Sequence, residues 1–127
     1  MEWELNFQDD NILVVKCNGD FCDDDLRTLV EQFVSDQRWK PDMNIIIDFT
    51  GLVIDKINLD DIYSSLDIHR EYSNLHSGKL AVINKDYSGF GISSLYENIS
   101  KGYIKSKYAS FIRYADAIDW IREENIT

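Results

Sequence analysis

Few residues in this chain have the types and spacing that chemistry requires, and the most informative are Asp48 and Thr50. They follow three consecutive isoleucines, a pattern typical of a strand that is apolar on both faces and covered by helices on both sides. We predict that this strand stops at 48–51. A carboxylate and a hydroxyl would then lie at its carboxyl end, where ligands and partners usually bind in open α/β sheets. The alternative is a local hydrogen bond into the following loop, which the residue types alone favour.

The cysteines, histidines and acidic runs form no catalytic or metal-binding pattern. Cys17 and Cys22 have no histidines at zinc-site spacing, and nearby carboxylates raise the pKa of a thiol, so we interpret both as reduced structural thiols. The acidic run 23–25 lacks the spacing of a calcium loop, and neither His69 nor His76 accompanies a recognisable nucleophile motif. We predict no catalytic residue, no cofactor and no metal, and we expect that the protein is not an enzyme.

A second candidate region is the loop 86–91, which follows a predicted buried strand. Gly89 and Gly91 flank the start of a predicted helix, but the lysine of a nucleotide-binding loop is missing. The loop should lie on the same side of the sheet as Asp48, where a shared shallow site is one interpretation. Aromatic residues here and further along could line an apolar groove, with half-buried core positions as the alternative. The candidate groove residues are Tyr87, Phe90 and Tyr96, with Tyr103 and Tyr108 beyond them.

Hydrophobic periodicity predicts one α/β domain over residues 1–127 in the order ββαβαβαβα. Two alternating segments form an N-terminal antiparallel hairpin, and helices then separate the later strands. This order implies right-handed crossovers and a mostly parallel sheet with helices covering it. The predicted strands are Glu2–Phe7, Ile12–Cys17, Asn44–Gly51, Lys79–Asn84 and Ala109–Tyr114. The predicted helices are Asp23–Gln37, a helix capped by Asn58 with Asp61 and ending near Asn74, Phe90–Tyr103 and Asp116–Glu124.

Composition limits the classes of partner. The formal net charge of −10 disfavours nucleic acid and anionic membranes, which both attract clustered Lys and Arg. No segment approaches the roughly 20 apolar residues of a membrane span. The first residues carry neither a basic segment nor a long apolar run, so we expect a cytoplasmic protein.

Several of these segments, in this order, resemble the anti-sigma-factor-antagonist-like (STAS-like, stage II sporulation protein AA-like) bacterial domains. The likeness is strongest to the uncharacterised branch grouped with SEC14-like lipid-binding folds. The segments are the hairpin, Trp39-x-Pro41, Ile45–Gly51, Gly91 with Tyr96-Glu97, Phe111–Arg113, and Ala117 with Trp120-Ile121. The resemblance covers nearly the whole chain, and it implies this fold and a non-catalytic regulatory or binding module. The antagonists carry a phosphorylated Ser or Thr where this sequence has Asp55–Asn58, so the phosphorylation switch is not carried over.

Two functions follow as hypotheses. The first is an interaction module that docks an unidentified protein partner, or a second copy as a homodimer, through the strand-end surface near Asp48–Asn58. Its candidate residues are Asp48, Thr50, Asp55 and Asn58. The second is a carrier of a small apolar ligand or lipid, of SEC14-like type, ranked lower because a fully packed core leaves little room for a ligand.

Overall fold

The computed structural model describes residues 1–101 and 107–123, and the predicted helix ends at Tyr103 and Glu124 lie outside these residues. Within them, five strands and four α-helices follow the predicted order. The strands are β1 (Glu2–Gln8), β2 (Ile12–Asp20), β3 (Asn44–Val53), β4 (Leu80–Ile83) and β5 (Tyr108–Phe111). The helices are α1 (Asp23–Val34), α2 (Leu59–Tyr72), α3 (Tyr87–Ser100) and α4 (Tyr114–Arg122), and a 3₁₀ turn at Ser73–Leu75 follows α2.

The strands form one sheet in the order β1-β2-β3-β4-β5. β1 pairs with β2 in antiparallel fashion, and every later pair is parallel. The predicted fold class is therefore confirmed: an α/β domain with a mostly parallel sheet that begins with an antiparallel hairpin.

Helices cover both faces of the sheet. On one face, Leu29 and Phe33 of α1 pack with Leu13 and Val15 of β2, and α2 and α3 continue this layer. On the other face, α4 packs its Ala117 and Ile121 against a separate apolar cluster of the sheet. Consecutive isoleucines of β3 belong to opposite clusters, Ile45 to the first and Ile46 to the second, as expected for a strand covered on both sides.

Side-chain caps set the starts of α2 and α3. Asn58 Oδ1 accepts from the Asp61 N–H at 3.0 Å and Asp61 Oδ2 accepts from the Asn58 N–H at 3.0 Å, which confirms the predicted capping box of α2. Asp86 Oδ1 accepts from the Gly89 N–H at 3.0 Å, so α3 begins at Tyr87, three residues before the predicted start. α4 also starts two residues earlier than predicted, at Tyr114 instead of Asp116, although its N-cap residue Arg113 makes no side-chain cap bond.

The prediction that β3 stops at 48–51 is wrong, because the strand runs on to Val53. Its pairing with β2 steps from Lys16–Asp48 to Asn18–Gly51, so that two residues of β3 lie opposite Cys17 alone. This is a β-bulge, and Asp48 Oδ1 stabilises it by accepting from the Thr50 N–H at 2.9 Å and from Thr50 Oγ1 at 2.6 Å. The extra residue shifts the alternation of side chains. Ile47 before the bulge, Phe49 within it, and Leu52 and Ile54 after it therefore all face the α1–α3 layer.

Candidate ligand-binding cavity

A cavity of about 160 Å³ lies between the sheet and the α1–α3 layer. Its walls are mostly apolar and come from every element of that layer, including Val30 of α1, Ile62 of α2 and Ile92 of α3, above Ile47 and Val82 of the sheet. The sequence-based expectation of a fully packed core with little room for a ligand therefore does not hold for this layer, although the space is small. The apolar periodicity was correct, but periodicity does not report how closely two layers approach.

One side of this cavity is polar and lies where α2 meets α3. His69 Nδ1 and the Tyr96 hydroxyl share a hydrogen bond of 2.8 Å, and the two rings are stacked with centroids 6.0 Å apart. The Tyr96 hydroxyl also lies 3.4 Å from the carbonyl oxygen of Ser65. Tyr108 of β5 continues the strip, with its ring centroid 5.3 Å from that of Tyr96.

A second polar group on the cavity wall is centred on Asn84, directly after β4. Asn84 Nδ2 donates to Ser93 Oγ at 2.8 Å and to the carbonyl oxygen of Phe111 at 3.2 Å. Ser93 Oγ in turn donates to Ser110 Oγ at 2.8 Å. These bonds join the end of β4 to α3 and β5, and they hold the Asn84 side chain in one orientation.

The three titratable rings of the polar strip, His69, Tyr96 and Tyr108, are uncharged at neutral pH. Burial, together with a smaller effect of the nearby His76, lowers the pKa of His69 to about 4, so the imidazole is neutral. Burial also raises the pKa of both Tyr96 and Tyr108 well above its usual range. Among the described residues that line the cavity, Asp61 is the one acidic side chain and no Lys or Arg occurs.

An outer pocket of about 170 Å³ lies at the carboxyl ends of β3 and β4. It shares Ile54, Asn84 and Gly89 with the cavity, and it adds the charged side chains of Asp55, Lys85 and Asp86. Asp86, Gly89 and the end of β3 thus line one shallow site, but Asp48, with which we expected the segment 86–91 to share it, lines neither space.

The predicted site residues occupy different places. Asp55 lines the outer pocket, Asn58 caps α2, and Asp48 and Thr50 bond to one another in the bulge. Of the predicted groove residues, Tyr96 lines the cavity, whereas Tyr87 is 83% exposed and Phe90 is half-buried outside the cavity wall.

Sequence reasoning missed the other polar groups of the cavity, His69, Asn84 and Ser93. For Ser93, the available signal was a polar residue on the buried stripe of a helix. For Asn84, it was a polar residue at the end of an apolar strand. For His69 the sequence shows only a histidine within a helix, and that helix packs it against Tyr96 of α3.

The remaining candidate groups have structural roles. Cys17 is buried, and burial together with nearby Asp48 raises the pKa of its thiol to about 12. The other histidine, His76, contacts the carbonyl oxygen of Met43 through Nε2 at 2.7 Å. Within residues 1–101 and 107–123, no three potential metal ligands lie close enough together to hold an ion. In the same residues, no helix is both long and apolar enough to cross a bilayer.

Comparison with solved structures finds a protein of similar architecture. The chain is similar to an uncharacterised protein of the DUF3478 family from Shewanella loihica PV-4, which has a SpoIIAA-like fold. The TM-score is 0.62 at 17% sequence identity, and the match covers 94% of this chain and 92% of that one. At this identity the likeness shows the fold alone. It is the fold that the STAS-like resemblance implied, so that prediction is confirmed. No protein-family model and no curated protein matches the sequence.

Proposed function

We propose that this protein is a non-catalytic binding module of SpoIIAA-like fold that holds a small apolar ligand between its sheet and the α1–α3 layer. The observation that supports the proposal is the cavity of about 160 Å³ with its mostly apolar wall. An apolar cavity of roughly 150 Å³ is large enough to bind benzene, whereas drug-sized ligands occupy roughly 300 Å³ or more. The volume therefore suits a molecule of about one ring and is too small for a whole lipid. The free cysteines, Cys17 and Cys22, fit the cytoplasmic location that we expect.

The first test is native mass spectrometry of the protein purified from its own host. A bound ligand adds mass that disappears when the chain is denatured. A bare chain mass would leave the cavity without a resident ligand, and it would contradict the proposal if the binding test below also failed.

The binding test uses p-xylene as a probe and a pair of matched valine substitutions. Val30 lines the cavity, and Val14 packs on the opposite face of the sheet. We expect p-xylene to raise the thermal midpoint of the wild type by a few degrees, because a ligand that binds only the native state stabilises it. Val30→Phe should abolish this shift by filling the cavity, and Val14→Phe should retain it. An equal shift in both variants would place the probe outside the cavity.

A second candidate function is protein docking at the strand-end surface, our first hypothesis from the sequence. One observation favours it: Val53, Leu59 and Tyr63 are large apolar residues that are about half exposed, and they flank Asp55 and Asn58. Exposed apolar clusters commonly mark interaction surfaces. Leu59 and Tyr63 are also one turn apart on α2, so their side chains are neighbours.

Site-specific photocrosslinking tests this docking function. Tyr63 on α2 and Tyr114 on α4 are comparably exposed, at 52% and 44%, and they lie on opposite faces of the sheet. A photoreactive phenylalanine at position 63 should capture a defined protein, or a second copy of the chain, that the same group at position 114 does not. Adding Leu59→Lys should remove the adduct. Capture of the same proteins from both positions would contradict a docking surface at the strand ends.

A further inference from the structure

Asn84 carries a buried amide oxygen that lacks a partner. Its Nδ2 donates to Ser93 Oγ and to the carbonyl oxygen of Phe111. The bond to the Phe111 carbonyl shows which atom of the amide is nitrogen and which is oxygen, because a backbone carbonyl only accepts. Oδ1 receives no hydrogen bond from residues 1–101 or 107–123, although Asn84 is only 5% exposed. A buried acceptor left unpaired is costly, so a fold that keeps one at a cavity wall suggests that a ligand supplies the donor.

The space beside this oxygen is kept open by a glycine. A methyl group added at Gly89, on the first turn of α3, would lie 3.3 Å from Asn84 Cβ and 3.4 Å from both Asn84 Oδ1 and Ile54 Cδ1. Asn84, Gly89 and Ile54 all line both the cavity and the outer pocket. The unpaired acceptor therefore lies where these two spaces meet.

The surrounding charges disfavour an anionic ligand. No Lys or Arg lines the cavity among the described residues, and Lys85 of the outer pocket is exposed to solvent. The carboxylate of Asp61 already accepts from the Asn58 N–H. His69 is neutral because burial lowers its pKa to about 4. A carboxylate or phosphate would lose its hydration here without gaining a positive partner.

We propose that the ligand is a neutral molecule of about one ring that carries a hydroxyl group, and that this hydroxyl donates its hydrogen to Asn84 Oδ1. The apolar body of the ligand would lie in the cavity against Ile47, Phe49 and Ile54. This inference rests on the proposed function, since it names the chemical class of the ligand that the cavity takes.

The test compares p-cresol with p-xylene, which have nearly the same shape but differ by a hydroxyl in place of a methyl. Isothermal titration calorimetry at pH 7 gives the ratio of their two affinities, and 4-methylbenzoate serves as the anionic probe. The hydroxyl is well hydrated in water, so p-cresol gains less free energy than p-xylene on transfer from water to an apolar cavity. We expect it nevertheless to bind at least as tightly as p-xylene, and 4-methylbenzoate to show no binding.

Two matched glycine substitutions on α3 locate the hydrogen bond. Gly89→Ala places a methyl group beside Asn84 Oδ1, whereas Gly91→Ala meets nothing within 4 Å. Both should fold, because alanine favours a helix over glycine by about 1 kcal/mol. Gly89→Ala should lower the p-cresol to p-xylene affinity ratio by about five- to tenfold, in line with the loss of one hydrogen bond. Gly91→Ala should leave the ratio unchanged.

The outcomes separate this inference from the proposed function. If p-xylene binds and the affinity ratio is the same in the wild type and both variants, the hydroxyl assignment is overturned and the proposed function stands. Tight binding of 4-methylbenzoate also overturns the assignment. If neither p-xylene nor p-cresol binds, the proposed function fails and this inference fails with it.

Discussion

His69 links the stability of the protein to pH, because its pKa in the folded state is lowered to about 4 by burial. An unfolded histidine titrates near 6.5, so between these two values the unfolded chain binds the proton more strongly. The contribution of His69 to the free energy of unfolding is therefore fully present above about pH 6.5, and it is lost as pH falls toward 4. At pH 4.5 this group alone should lower the free energy of unfolding by on the order of 2 kcal/mol.

Urea denaturation at pH 7 and pH 4.5 measures this effect, with His69→Gln as the comparison. The variant should lose less stability over this interval than the wild type. Its remaining loss should include His76, whose pKa burial also lowers. Equal losses in both proteins would show that His69 takes up its proton in the folded state as readily as in the unfolded chain.

Asp48 should contribute to stability through the bulge of β3. Asp48→Ala leaves the Thr50 N–H and hydroxyl without their acceptor, and we expect a loss of roughly 1–2 kcal/mol in chemical denaturation. Asp48→Asn keeps an acceptor oxygen at the same place and should lose less. If the alanine variant were as stable as the wild type, the bulge would not depend on this side chain.

At the scale of elements, Lys79, the residue directly before β4, links this strand to the last helix, α4. Its Nζ donates at 2.7 Å to the carbonyl oxygens of Trp120 and Glu123, at the C-terminal end of α4, and lies 5.2 Å from the centroid of the Trp120 ring. A cation at this end satisfies free carbonyls and complements the helix dipole. Lys79→Met should therefore cost about 1–3 kcal/mol of unfolding free energy. The same change at exposed Lys40 is the control and should cost little. Equal losses of unfolding free energy in the two variants would mean that the bonds from Lys79 to the end of α4 add no particular stability.

Local chemistry predicted the capped start of α2, although the local cap of α3 at Asp86 was missed, and features set by distant partners could not be predicted. The start of α2 follows from Asn58 and Asp61, which bond within one turn. The segment 48–51 has the composition of a loop, yet it continues as strand because β2 pairs with it beyond the bulge. The cavity is a non-local property of the same kind. The sequence shows apolar side chains at helical spacing, whereas the gap between the helices and the sheet depends on how the whole layer packs.

At the scale of the molecule, the sheet separates two unlike cores. The α4 side holds a cluster built on Ile46, Ala81 and Ile121, none of which lines the cavity, and the α1–α3 side contains the cavity. Side chains that border an empty space lose contacts on that side, so the layer above it should open more readily than the rest.

Hydrogen exchange measured by mass spectrometry tests this asymmetry. Amides of α2 and α3 should exchange faster than those of β2 and β3, which form the centre of the sheet. Adding p-xylene should slow exchange in α2 and α3 while changing α4 little, because the ligand supplies contacts only to the layer that it touches. Val30→Phe should show the slowed pattern without any ligand, since the added ring fills the same space. Slowing of equal size in α4 would instead mean that the two cores open as one unit, and the cavity would then be coupled to the whole fold and not to one layer.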